Sequence, residues 1–381
     1  MNPRMMILAL AICGLGGCAS IVPDLDTQAQ RLMQRENVQG LALAVIDNGT
    51  VTKVAAYGKR DASLPLTADT IMYGASLTKT AFAYMLLQLV DEGRLDLDAS
   101  VATLLPRPLP DYRTKDYDFT DLQDDDRWRK LTPRILLNHA SGFANFRWLE
   151  PDKKLRFHFD PGSRYAYSGE GFYILQLIVE QGLGLDTGKE MQQRVFDRFG
   201  MTNTSMTWRA DFAANLAHGF AENGSMEAHD ERSRARAAGS MDTTINDQAR
   251  LWAGIVRGEG LSKAARTALV APHLPIDSAR QFPTLSAGVN PANARIGLAA
   301  GLGLVTFRDI AGQAWFKGGH NDTTGNMVIC QEHRKRCIVM LANDVRAERI
   351  YPELARLVLG ETNMPWAWEY GPQVFNRKPA P

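Results

Sequence analysis

The chain has 381 residues, 45% hydrophobic and 22% charged, an ordinary globular balance with material for a large core. Formal net charge is +1, which leaves no basic field to hold a nucleic acid. The run Glu231-Arg232-Ser233-Arg234-Ala235-Arg236 is too short and mixed to supply one and reads as a solvated helix face.

At the N-terminus Arg4 precedes an apolar stretch, Met5 to Gly17, too short to span a bilayer. Residues 1–17 read as a signal peptide. Leu15-Gly16-Gly17-Cys18 resembles a bacterial lipobox, which predicts lipidation at Cys18; a plain signal-peptidase site is the alternative. Both predict a periplasmic protein, anchored to the outer membrane by lipid in the first case and secreted in the second. No other long apolar run predicts a membrane span. Residues 18–35 read as a tether and 36–381 as the folded domain, expected to be a monomer.

Leu41 to Ile46, Asp47-Asn48-Gly49-Thr50 and Val51 to Tyr57 read as strand, tight turn and strand, Asn-Gly being a strong hairpin signal. Thr78 through Val90 is apolar at helical spacing without Gly or Pro, and Glu92-Gly93 closes it. The segment from about 95 to 250 reads as mostly helical, with a loop from Pro106 to Arg129 dense in Asp and aromatic residues. Strand character returns at Gly303 to Phe307 and Ala314 to Phe316. Met327-Val328-Ile329 and Ile338-Val339-Met340-Leu341 then form a hairpin, and a helix is expected over Ala347 to Leu359. The pattern predicts an α+β fold: an antiparallel sheet from both chain ends, flanked by helices, with an inserted mostly helical domain. Cys330 and Cys337 flank the hairpin turn and in an oxidising compartment are expected to pair, two buried thiols being the alternative.

Ser76-Leu77-Thr78-Lys79 places a hydroxyl and an amine on one face of a helix start, near the positive end of the helix dipole. Serine needs a base within reach, and a desolvated lysine can serve because burial lowers its pKa. On the order of one Ser-x-x-Lys is expected by chance in such a chain, so the spacing needs company. Phe159 to Gly171, containing Tyr167-Ser168-Gly169, is a second element. Trp315-Phe316-Lys317-Gly318-Gly319-His320 is a third, a strand ending in a cation and two glycines that would let a substrate lie along its edge. Lys317 is placed to hold a substrate carboxylate.

In these motifs the sequence resembles the serine β-lactamases, especially class C enzymes, with the penicillin-binding D,D-peptidases and family VIII esterases as relatives. Ser76-x-x-Lys79 matches the first family motif, Tyr167-Ser168-Gly169 stands at Tyr-x-Asn, and Lys317-Gly318-Gly319 at Lys-Thr-Gly. Leu136 to Gly142 and Gly200 to Thr204 are similar to two further segments. The resemblance implies a β-lactamase/transpeptidase-like fold and a serine hydrolase forming an acyl-enzyme at Ser76, with proton traffic shared by Lys79 and Tyr167. It implies an oxyanion hole from the N–H groups of Ser76 and His320. Tyr167 would need a depressed pKa to act as phenolate. Gly169 departs from the family's Asn, and Asn145 is the candidate replacement amide. Gly318 departs from Thr.

The implied substrate is a small molecule or peptidoglycan-like compound: a β-lactam or related carboxylate-bearing amide or ester, with simple esters and D-amino-acid peptides as alternatives. A non-catalytic penicillin-binding sensor is the reading from another class. No Gly-x-Ser-x-Gly elbow is present, and the seven histidines form no His-x-His or His-Glu-x-x-His, so neither a metal nor a cofactor is expected. His139 reads as structural, Glu170 as a helix-starting glutamate, and the aromatic residues at 112–119 and 146–148 as core or cleft lining.

Overall fold

A computed structural model describes residues 24–375. The signal peptide, Cys13 and the lipidation site Cys18 lie outside these described residues. The first helix, α1 (Leu25–Glu36), corrects the tether. Asp24 caps it, its carboxylate accepting from Thr27 N–H at 2.8 Å. Ala29, Leu32 and Met33 bury one stripe at helical spacing. The folded domain therefore begins near residue 24, not 36.

The Asn48-Gly49 turn has positive φ at both residues, 50° and 74°, the backbone a two-residue hairpin demands. It joins β1 (Gly40–Asp47) to β2 (Thr50–Gly58). Six later strands complete the sheet: β3 (Leu274–Pro275), β4 (Ala299–Ala300), β5 (Val305–Asp309), β6 (Gly312–Asn321), β7 (Thr324–Gln331) and β8 (Arg336–Ala342). Their spatial order is β2-β1-β8-β7-β6-β5-β4-β3, antiparallel throughout. The β1–β8 pairing, from Leu41 opposite Ala342 to Ile46 opposite Cys337, sews the two chain ends together.

Both faces of the sheet are covered, so its central strands are buried on alternate residues in both directions. Ala42, Ala44, Val328 and Val339 pack toward α2 (Leu77–Asp91) and α3 (Ile245–Arg257). Leu41, Met327, Ile329 and Ile338 pack toward α1, α4 (Tyr351–Leu359) and α5 (Trp366–Tyr370). Every side chain from Leu77 to Leu89 is buried, which makes α2 the central helix of the molecule.

The inserted middle is mostly short helices and turns. The Pro106–Arg129 segment forms three single 3₁₀ turns anchored by buried Tyr112, Phe119 and Trp128. Two further expectations need correction. Residues 231–236 are irregular, not helical. The helix expected over 347–359 is divided into a 3₁₀ turn, Val345–Arg349, and α4, whose first turn holds Pro352 because proline there gives up no helical hydrogen bond.

Cys330 and Cys337 are direct cross-strand partners in β7 and β8 and are joined as a disulfide, with Cα atoms 4.1 Å apart. Closing even this short loop restricts the unfolded chain. The Cys330→Ser/Cys337→Ser double variant is expected to lose about 2 kcal/mol of stability in urea denaturation. Equal stability of parent and variant would show that the bridge contributes nothing.

Candidate active site

Ser76 ends a tight approach to α2. Ala75 before it sits at φ 46°, an uncommon conformation for a residue with a side chain. Hydrogen bonds around the turn hold it: Gly74 N–H donates to Met241 O at 2.8 Å, Thr78 Oγ1 to Ala75 O at 2.6 Å, and Asn326 Nδ2 to Tyr73 O at 2.9 Å. Ser76 is the N-cap residue, but its backbone is helical and its side chain makes no capping hydrogen bond. The hydroxyl is therefore not spent on the helix.

Lys79 is 1% exposed. Its Nζ lies 3.0 Å from Ser76 Oγ and donates to Ala238 O at 2.5 Å. Burial holds its pKa well below the ordinary lysine value, and the Lys317 charge adds to the effect. Within hydrogen-bond reach of the serine stands an amine whose neutral form the site favours.

Tyr167 precedes a helix, α-helical over Gly169–Leu177, capped by Ser168. His139, at φ 55°, positions it: Ser168 N–H donates to His139 Nδ1 at 3.1 Å, and the imidazole stacks on the Tyr167 ring at 4.2 Å. Burial pushes the His139 pKa well down, helped by Lys317 and Lys79, so the ring is neutral and structural, as the sequence indicates. The condition for a Tyr167 phenolate, a lowered pKa, is not what the surroundings favour. Burial raises its pKa, and the Ser76 hydroxyl beside it offsets this only in part. Tyr167 is a phenol, accepting from Lys317 Nζ at 3.2 Å.

β5 pairs with β6 only up to Phe316, leaving the β6 edge over Lys317–Asn321 without a strand neighbour on that side. This edge runs past Ser76. A Cβ on Gly319 would stand 3.0 Å from Gly74 O and Leu77 N and 3.1 Å from Ser76 N. The absent side chain thus lets the strand approach the Ser76 turn closely. His320 borders the cleft with its ring bonded to Glu348 at 3.1 Å. Burial opposes its charged form, but the two nearby glutamates, Glu348 foremost, raise its pKa above the usual value.

The cleft that opens on Ser76 has a volume of about 520 Å³ and is bordered by Tyr73, Phe146, Trp148, Tyr173 and Phe282 among others. The irregular 230–236 loop forms part of its wall, so that run serves the cleft and not a solvated helix. The aromatic segment at 112–119 is core in the main, whereas Phe146 and Trp148 face the cleft, stacked 4.1 Å apart. The side chain missing at Gly169 has been replaced in space by the Phe146 ring, 2.2 Å from where a Cβ would lie. Asn145 stands next to it at the cleft rim, its Oδ1 accepting from Gly169 N–H at 3.0 Å. Glu170 starts its helix but is buried, paired with Arg147 at 2.8 Å.

Lys317 is buried and lines a small inner chamber behind Tyr167 with His139, Tyr165, Gln281 and Glu369 rather than the cleft wall. Burial lowers its pKa to about 8 against the counteracting charge of Glu369. Its hydrogen bond goes to the Tyr167 hydroxyl. Glu369, Gln281 and Phe282 were not singled out from the sequence. A glutamate inside the tail Trp366-Ala367-Trp368-Glu369-Tyr370 carries no local signal of its destination.

A serine at the start of the central helix, a buried lysine on it, a phenol beside them and an uncovered strand edge lie together in a β-lactamase/transpeptidase-like fold. The chain belongs to the beta-lactamase family, whose model matches residues 25–361. It is 27% identical over 224 residues to a lovastatin esterase of Penicillium rubens, covering 50% of this chain and 55% of that one. It is 29% identical over 190 residues to penicillin-binding protein 4 of Amycolatopsis lactamdurans, covering 46% of each. These matches span about half the length of the curated relatives. In fold it is similar to a beta-lactamase/D-alanine carboxypeptidase from Pseudomonas syringae, at TM-score 0.67 and 19% identity, covering 88% of this chain and 97% of that one.

The approach of β6 to Ser76 is directly testable. Gly319→Ala crowds the strand edge against the Ser76 and Leu77 amides, so kcat is expected to fall about tenfold with KM little changed. A variant with parental kcat would show that this approach does not matter to the reaction.

Proposed function

We propose that the protein hydrolyses carboxylic esters and related amides through an acyl-Ser76 intermediate. The observation that carries this reading is the fully buried Lys79 amine 3.0 Å from Ser76 Oγ. Ser76 Oγ attacks the substrate carbonyl carbon while its proton passes to Lys79 Nζ. The oxyanion is received by the N–H groups of Ser76 and His320. The intermediate then expels the leaving group, which takes the proton back from Lys79 by way of the Tyr167 hydroxyl. A water next attacks the acyl-enzyme, gives up one proton to the same base, and Ser76 is released with its own proton restored.

Within the family's range, the cleft favours neutral esters over β-lactams. Lys317 is turned to Tyr167, and Phe146 fills the place of the family's Asn, so two of the groups the resemblance assigns to carboxylate-bearing substrates are absent from the cleft. The likeness to a lovastatin esterase over half the chain agrees with this. The N-terminal pattern supports a periplasmic location, lipid-anchored through Cys18 or secreted.

Intact-protein mass spectrometry with a short-chain p-nitrophenyl ester and with benzylpenicillin tests the assignment. The parent is expected to turn over the ester faster than the penicillin, and Ser76→Ala to abolish every adduct. An adduct surviving that change would sink the nucleophile assignment. Lys79→Met is expected to reduce kcat by about 10³-fold or more.

The pH profile follows from the same amine. Lys79 acts only when deprotonated, so kcat/KM rises with pH as the proton leaves. Because burial holds its pKa well below the ordinary value of about 10.4, the rise is expected to lie on the acid side of that value. An acid limb at an unperturbed lysine value would contradict the role.

A further inference from the structure

The chamber behind Tyr167 contains a carboxylate that the proposed reaction does not use. Glu369, on the short helix α5, is 2% exposed. Its Oε2 accepts from Gln281 Nε2 at 2.5 Å, and Gln281 Oε1 in turn accepts from Tyr165 OH at 2.6 Å. Its Oε1 occupies the space of the side chain that Gly318 lacks, 2.1 Å from where a Cβ would lie. The chain therefore exchanges a side chain on β6 for a carboxylate brought from near its C-terminus. Burying a carboxylate is costly unless charge and hydrogen bonds offset it, and the groups gathered here do so.

We propose that Glu369 is a positioning residue of this site: seated in the gap at Gly318, its charge keeps the Lys317 ammonium in the inner chamber and committed to the Tyr167 hydroxyl, away from the substrate. The inference rests on the acyl-serine reading above. Lys317 donates to Tyr167 at 3.2 Å and borders the chamber rather than the cleft. The cation has its counter-charge inside the protein, so the site selects substrates without an anionic group at that end.

The charged and titratable groups around the pair set its pH behaviour. Lys317 is faced by Lys79, Tyr167, His139 and Glu369; Glu369 by Lys317, His320, Glu348, Tyr165 and Tyr370. Burial raises Glu369 to about 7, with Lys317 and His320 opposing and Glu348 adding. Burial lowers Lys317 to about 8, with Glu369 opposing. Both groups are therefore charged in a window near neutral pH, and the pair titrates as a unit.

The test is the pH dependence of kcat for p-nitrophenyl acetate, a neutral ester. The parent is expected to lose activity on an alkaline limb near 8 as the Lys317 proton leaves. In Glu369→Gln the carboxylate no longer supports the ammonium, so the limb moves toward acid by about one unit, and kcat at pH 8 falls about fivefold with KM held. Glu369→Asp, which keeps the charge, brings the limb back toward the parent. If Glu369→Gln does not fold, Gln281→Met withdraws the amide that seats the carboxylate, and a smaller shift in the same direction is expected. A limb that stays in place, or that moves equally in the Gln and Asp variants, overturns the proposal while leaving the acyl-serine reading intact. A parent with no ester turnover overturns both.

Discussion

The ammonium of a lysine is among the groups most strongly held by water, and α2 takes one away from it. Thirteen consecutive side chains from Leu77 to Leu89 are buried, and Lys79 is among them. Desolvation favours the neutral amine, and Lys317 on the neighbouring strand presses in the same direction. A neutral amine needs hydrogen-bonding partners rather than a counter-ion. It has the Ala238 carbonyl on one side and the Ser76 hydroxyl on the other. The rest of the site is arranged around keeping that geometry while leaving one face open.

The sheet supplies the open face. β6 is paired on both sides as far as Phe316 and then loses β5, so its next residues pass Ser76 with an uncovered edge. Edge strands expose unpaired amides, and here those amides lie next to a nucleophile. Gly319 permits the approach and the hydrogen bonds around the Ala75 turn fix it. Tyr167 is held from the opposite side by His139, whose neutral ring stacks on the phenol and accepts from the adjoining backbone. The histidine acts through packing, with no proton to give to the reaction.

Two glycines in the motifs have become sockets for residues from elsewhere. Phe146 fills the volume beside Gly169, and Glu369 fills the volume beside Gly318. Each replacement changes the chemistry of the site as well as its shape: an aromatic ring takes the place of an amide, and a carboxylate takes the place of a hydroxyl. The consequence is a cleft with aromatic walls and an inward-facing cation.

Much of this was legible in the sequence. Period-2 and period-3.6 apolar patterns reveal β1, β2, β7, β8 and α2 because burial on one face writes itself into neighbouring residues. The Asn48-Gly49 turn and the Cys330–Cys337 pair are local too, since a hairpin places its own partners. Ser76 and Lys79 share a helix turn, so three positions of separation suffice to bring them together. What tertiary structure alone decided depends on contacts between distant segments. Lys317 could be placed on a strand, but whether its ammonium reached a substrate or Tyr167 depended on Glu369, 52 positions away in the numbering. The run at 231–236 reads as a solvated helix face, but it is irregular and borders the cleft while Glu231, Ser233 and Arg236 stay exposed. Residues 18–35 read as a tether, yet from Leu25 the chain is a helix, because the sheet offers Ala29, Leu32 and Met33 a surface to cover. Local pattern set Ser76 beside Lys79, while the other groups around them were assembled by long-range packing, which leaves no periodic trace along the chain.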